Sequence, residues 1–243
     1  MAMTSLVLVG GMGTRLRPLL QDLPKPLAPV GNRPFLEYLV RQLHAQGFKD
    51  IIFCTGYGAK EIAECFGDGH RWGVHLRYSH EVAPLGTAGA IKQAARLKGE
   101  GPFLVMNGDS FLEADLHALL NQHFARRGVG MLALARAGDS GRFGCVEIDT
   151  AGRITRFLEK GGPRPGLING GIYVFDPAVL RAIPEEKSMS LEHELLPSLL
   201  EEGLYGMTTG GFFIDIGLPE DYRRLAENPE ILLRRLATAG TRK

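Results

Sequence analysis

The chain has few cysteines, one tryptophan, no long apolar run and no excess of either charge. Cys54, Cys65 and Cys145 are odd in number and widely spaced, with no CxxC pair. They support neither a disulfide framework nor a zinc site, and a reduced, cytosolic (cytoplasmic) setting is the simplest reading. The apolar run Leu6–Val9 is too short for a signal-peptide core or a membrane span, and no other run approaches about 20 residues. Lys and Arg total 28 against 27 Asp and Glu, a net charge of +1. A general nucleic-acid or membrane-surface binder needs a basic face, so neither partner is expected. No fixed-period repeat occurs; a C-terminal β-helix of hexapeptide repeats is therefore not expected.

What the chain does have is glycine. It carries 32 in 243 residues, where an average share of roughly 7% would give about 17. They follow no Gly-X-Y period, which excludes collagen. With 44% hydrophobic residues the chain is not disordered and is long enough for a full core.

Strand-like and helix-like segments alternate through the first half. Ser5–Val9, Asp50–Thr55, Val74–His80 and Pro102–Met106 read as strands. Pro34–Gln46, Ala59–Phe66, Thr87–Leu97 and a segment capped by Asp115 and running to about Arg127 read as helices. After Gly130 the runs Gly130–Arg136, Gly144–Ile148, Arg153–Glu159 and Leu167–Phe175 are strand-like with only turns between them. Helices at Pro177–Ile183 and Leu191–Glu201, a strand at Phe212–Ile216 and helices from Pro219 to about Thr238 complete the reading. The pattern predicts an α/β fold: a Rossmann-like, mostly parallel mixed sheet flanked by helices, with a β-rich insertion. No low-complexity linker divides it, so one domain is expected over 1–243, its first 130 residues mainly nucleotide-binding and the rest mainly sugar-phosphate-binding.

Two strands end in unusual text, where such sheets bind ligands. Gly10-Gly11-Met12-Gly13-Thr14-Arg15 follows the first. Its glycines let backbone amides approach a ligand, a nest suited to phosphate. Arg15 adds a guanidinium fork and Lys25, between Pro24 and Pro26, a point charge. The text is neither a Walker A loop, which ends in Gly-Lys-Ser/Thr, nor a dinucleotide fingerprint, whose third glycine is here Leu16. An oxidoreductase would also need an acid after the second strand, where Thr55-Gly56-Tyr57-Gly58 stands. The second strand ends in Asn107-Gly108-Asp109; a lone Asp there is as often a turn cap.

Gly-Gly-Met-Gly-Thr-Arg-Leu-Arg-Pro from Gly10, with Pro24-Lys25-Pro26, resembles the sugar-1-phosphate nucleotidylyltransferases. The resemblance continues through Pro84–Gly89, Asn107–Asp109, Phe157–Lys160, Asn169–Tyr173 and Phe213–Gly217. It implies a reaction of nucleoside triphosphate with sugar 1-phosphate, giving nucleotide-sugar and pyrophosphate. Arg15, Lys25 and Asp109 would be catalytic, Arg15 on the departing β- and γ-phosphates and Lys25 on the α-phosphate. Gly10, Gly11, Gly13, Thr14, Pro84, Gly86, Thr87, Asn107 and Gly108 would complete the nucleotide site. Asp109 and Asp215 would hold one Mg²⁺. Glu159 would meet sugar hydroxyls and Lys160 the sugar phosphate, with Gly144, Asn169 and Gly170 in the same pocket. Glu81–Gly89 looks like the guanylyltransferase form, implying GTP. The text of Asp22–Pro29, Arg33–Tyr38 and Phe213–Tyr222 looks most like members acting on D-glycero-α-D-manno-heptose 1-phosphate, with mannose 1-phosphate the alternative acceptor. A non-catalytic sensor of the same fold would have lost charges that are all present here. Exposed apolar helices would suit a homodimer, though sequence does not separate interface from core. The seven histidines form no spaced cluster and read as structural or surface.

Overall fold

The computed structural model describes residues 3–20, 23–162, 164–185 and 187–239. Asp22, which opens one of the segments above, lies outside them, as do the last four residues. The strands are β1 (Thr4–Leu8), β2 (Pro29–Val30), β3 (Arg33–Pro34), β4 (Asp50–Thr55), β5 (His75–His80), β6 (Phe103–Asn107), β7 (Ser110–Leu112), β8 (Gly130–Ala137), β9 (Cys145–Ile148), β10 (Ile154–Leu158), β11 (Gly166–Phe175), β12 (Leu204–Thr209) and β13 (Phe213–Asp215). Seven of them form one sheet in the order β12-β8-β11-β6-β1-β4-β5. All run in one direction except β11, which is antiparallel to both of its neighbours.

The continuous apolar text of the strands follows from burial on both faces. Leu6, Ile52, Val105, Leu132 and Tyr173 enter one core; their neighbours Val7, Phe53, Leu104, Met131 and Val174 enter the other. Helix Phe35–Ala45 covers the second face with Leu36, Leu39 and Leu43. Helix Gly86–Ala95 covers the first with Ala88, Ile91 and Ala94. The predicted cap is present: the Asp115 carboxylate accepts from the Ala118 amide at 2.9 Å at the start of helix Leu116–Ala125.

Two parts of the second half differ from the sequence reading. The four strand-like runs do not make a separate meander. β8 and β11 pair inside the main sheet, and only β9 and β10 form a detached hairpin between them. Leu191–Glu201 is not one helix. It starts as a π-helical turn, Leu191–Leu195, then becomes short α-helical pieces at Leu196–Ser198 and Leu200–Gly203. The helices expected from Pro219 are present as Pro219–Glu227 and Glu230–Ala239, parted at Asn228-Pro229, since proline ends the helix before it.

Candidate active site

The parallel strands bring their C-terminal ends to one edge of the sheet, where a cavity of about 560 Å³ opens. Its wall takes Gly10, Gly11 and Gly13 from the loop after β1, Gly56 after β4, Glu81, Pro84, Gly86 and Thr87 after β5, and Asn107, Gly108 and Asp109 after β6. Lys25 closes the floor. Gly13 has φ +57°, and a Cβ there would sit 2.9 Å from the Lys25 Cβ. The glycine loop therefore packs directly on the lysine. Lys25 opens the 3₁₀ turn Lys25–Leu27, whose Pro26 and Leu27 are buried. The Pro24 ring lies against Gly58. These contacts aim the ammonium, which donates to the Asp109 carboxylate at 2.6 Å. The lysine is only 14% exposed, the aspartate 41%.

The backbones at Asp109 and Asp215 run side by side, although Asp215 is on the wall of neither cavity. β13 pairs antiparallel with β7 and sets Asp215 opposite Ser110, the residue after Asp109. The Ile216 amide donates to the Asp109 carbonyl at 2.9 Å. Asp215 itself accepts from the Gly217 amide at 2.7 Å.

A smaller cavity, about 140 Å³, lies between the β9–β10 hairpin and the turn Leu191–Leu195. Gly144, Glu159, Lys160 and Asn169 all line it. β11 carries a register shift between Asn169 and Ile172, a bulge that re-aims the asparagine off the sheet. Glu192 lines both cavities, so the two share a wall.

The chain matches the family described as Nucleotidyl transferase over residues 4–230. It belongs to the nucleotidyl transferases. It is 38% identical to a D-glycero-alpha-D-manno-heptose 1-phosphate guanylyltransferase from Aneurinibacillus thermoaerophilus over 91% of this chain and 96% of that one. It is 40% identical to a mannose-1-phosphate guanylyltransferase from Mycobacterium tuberculosis over 90% of this chain and 62% of that longer one. The crystal structure of HddC from Yersinia pseudotuberculosis complexed with GMP-PN superposes with a TM-score of 0.83 at 31% identity, covering 93% of this chain and 98% of that one.

In this nucleotidyl transferase nine of the eleven predicted nucleotide-site residues share one cavity with Asp109, and four of the five predicted sugar-site residues share the other. Thr14 and Arg15 are exposed and stand off both cavity walls. The Arg15 guanidinium has no hydrogen bond or ion pair among the described residues. Gly170 also lies off the wall, packed against Leu112 and the Ala133 carbonyl. Sequence reasoning missed Glu81, Glu192 and His193. Glu81 sits inside the quoted segment Glu81–Gly89; the two others had no sequence signal.

The acidic pair fits a hard divalent cation. No group of three or more His, Cys, Asp or Glu that could hold a metal occurs among the described residues. Two carboxylates are what a site needs when triphosphate oxygens and waters supply the remaining ligands. Burial raises the Asp215 carboxyl above its ordinary value of 3.8, and the Asp109 charge raises it further. An acid with a raised folded pKa stabilises the fold below its ordinary value, and that contribution is lost as pH rises through the raised value. At neutral pH the bare Asp215 carboxylate therefore costs stability. Asp215→Asn, measured metal-free, is expected to melt above the wild type at pH 7, with the gap closing toward pH 3 and turnover lost. A lower melting temperature for the variant at pH 7 refutes the strained carboxylate.

Proposed function

We propose that the enzyme transfers GMP from GTP to a sugar 1-phosphate, D-glycero-α-D-manno-heptose 1-phosphate above all, releasing pyrophosphate. The shared wall at Glu192 carries this reading: a nucleotide-sized cavity and a sugar-sized cavity abut, so one product can span both. A sugar phosphate oxygen attacks the α-phosphorus in line, the α–β bridging P–O bond breaks, and its electron pair leaves with pyrophosphate. Such chemistry needs positioning and charge neutralisation more than covalent help. Lys25 lies on the floor where an α-phosphate would rest. Arg15, on the exposed outer end of the glycine loop, would reach the departing phosphates only from the rim. Asp109 and Asp215 would hold Mg²⁺, which neutralises triphosphate charge when bound. Glu159 and Lys160, with no side-chain partner among the described residues, would take sugar hydroxyls and phosphate. One domain carries both halves of this site, the first 130 residues supplying most of the nucleotide wall.

Guanine presents a ring N–H and an amino group to acceptors. Glu81 lines the cavity, its carboxylate already fixed by the Leu85 amide at 3.0 Å. It would accept both donors. Glu81→Gln is expected to cut kcat/KM for GTP by about 10²-fold while sparing the sugar-phosphate KM; an unchanged GTP value refutes the role.

The deciding experiment is pyrophosphate release across GTP, ATP, CTP, UTP and dTTP, each with heptose 1-phosphate and mannose 1-phosphate. GTP with the heptose is expected to be fastest. Preference for a pyrimidine overturns the guanylyl reading. The mannose reading is favoured by the relative at 40% identity and is met if mannose 1-phosphate leads.

A further inference from the structure

The π-helical turn Leu191–Leu195 is the part of the site that no motif announced. Such widened turns are rare and recur at functional sites. This one is pinned from three sides. Ser190 accepts from the His193 amide at 3.1 Å, and its own amide donates to Glu194 at 2.7 Å. The Leu191 amide donates to the Thr87 hydroxyl at 2.7 Å, tying the turn to the nucleotide cavity. Leu191 and Leu195 are fully buried. Glu192 is thus held on a fixed support at the boundary of the two cavities.

Its carboxylate is under-used. It accepts from the Thr87 hydroxyl at 3.3 Å and from the Asn107 amide at 3.4 Å, both at the long limit for such bonds. A carboxylate offers about four acceptor positions. The Asn107 carbonyl oxygen beside it is buried without a hydrogen-bond partner among the described residues. Phosphate oxygens give a carboxylate nothing to accept; hydroxyl groups do. Two hydroxyl sources enter this site, the ribose and the sugar ring, and the surroundings favour the ring. His193, Leu196 and Pro197 line the smaller cavity and not the larger. Asn169, on the same smaller cavity, donates to the Tyr173 hydroxyl at 2.8 Å. Burial, reinforced by the Glu192 charge, raises that tyrosine well above its ordinary value, and Glu192 and Asn169 line the same smaller cavity.

We infer that Glu192 is a sugar-recognition residue whose carboxylate accepts a ring hydroxyl of the sugar 1-phosphate where the two cavities meet, an assignment that rests on the sugar-nucleotide reading above. A site built to bond a hydroxyl rejects the analogue lacking it, because the buried acceptor is left unpaired. The test pairs deletions on both sides of the contact. Wild type and Glu192→Gln are assayed for pyrophosphate release with the sugar 1-phosphate turned over best, with each of its ring monodeoxy analogues, and with 2′-deoxy-GTP and 3′-deoxy-GTP. The wild type is expected to lose at least tenfold in kcat/KM on one sugar analogue. In Glu192→Gln that loss is expected to shrink to within about threefold, with KM for GTP nearly unchanged. Glu192→Asp, which keeps the charged carboxylate, is expected to restore part of the discrimination, a recovery that a merely structural role would not produce. Equal penalties in wild type and in both variants overturn the inference. So does a penalty that vanishes in the variants for a deoxy-GTP instead, since Glu192 would then read the ribose. A wild type that turns over no sugar phosphate with any triphosphate fails at the earlier step and overturns the functional reading instead.

Discussion

Asp109→Asn is expected to reduce kcat by about three orders of magnitude, the rate equivalent of roughly 4 kcal/mol. Three features of the aspartate support the size of the effect. It lies two residues beyond the end of the central strand β6, where the sheet delivers its ligand edge. It lies beside Asp215 through the β7–β13 pairing. It is the partner of the Lys25 ammonium at 2.6 Å. Asparagine keeps the shape and one acceptor oxygen, so the fold survives, but it lacks the charge that a hard cation requires. The fall belongs in kcat with either sugar, because positioning and neutralisation act on the phosphates. Steady-state pyrophosphate release, with circular dichroism as the control for folding, checks it. A variant that keeps a tenth of wild-type turnover would remove Asp109 from the metal role.

Lys25→Ala is expected to lower kcat by about 10²–10³-fold, typical for deleting one preorganised charge at a transferring group. The conservative replacement is the sharper test. The lysine is wedged, with Gly13 against its stem and Gly217 at its tip, where an added Cβ would lie 2.8 Å from the ammonium. A guanidinium is broader and planar and does not fit that slot. Lys25→Arg should therefore recover less than a tenth of wild-type activity despite keeping the charge. Full activity in the arginine variant would show that charge alone suffices and that the slot is irrelevant. Alanine within tenfold of wild type would refute the catalytic role itself.

Much of the architecture could be read from runs of residues. Strands buried on both faces announce themselves as unbroken apolar text, as at Asp50–Thr55, where reading and structure coincide. Helix Ala59–Phe66 coincides as well. The edge strand β12 was missed because its text, Leu-Tyr-Gly-Met-Thr-Thr, is only partly buried and lacks such a run. The π-helical turn was missed for another reason. It is held by hydrogen bonds accepted by the hydroxyls of Ser190 and Thr87, the second of which lies 104 residues away in sequence. The site divides in the same way. Residues on the loops after β1 and β6 stand in compact text and were found. Glu192 and His193 reach the cavities through topology alone. Arg15 shows the opposite case, a residue marked by its motif that lies off the cavity wall.

The Lys25–Asp109 ion pair has a consequence for which form of the nucleotide the enzyme accepts. The two charges offset each other, and the carboxylates left nearby are Asp215 beside the pair and Glu81 and Glu192 on the cavity wall. On the proposed reaction, a bare triphosphate would have to part the pair and face the freed carboxylate with its own negative charges. One carrying a divalent counter-ion would let lysine and aspartate separate, each moving to a partner of opposite sign. The ion pair would then sort the two forms of the nucleotide before any base or sugar is read.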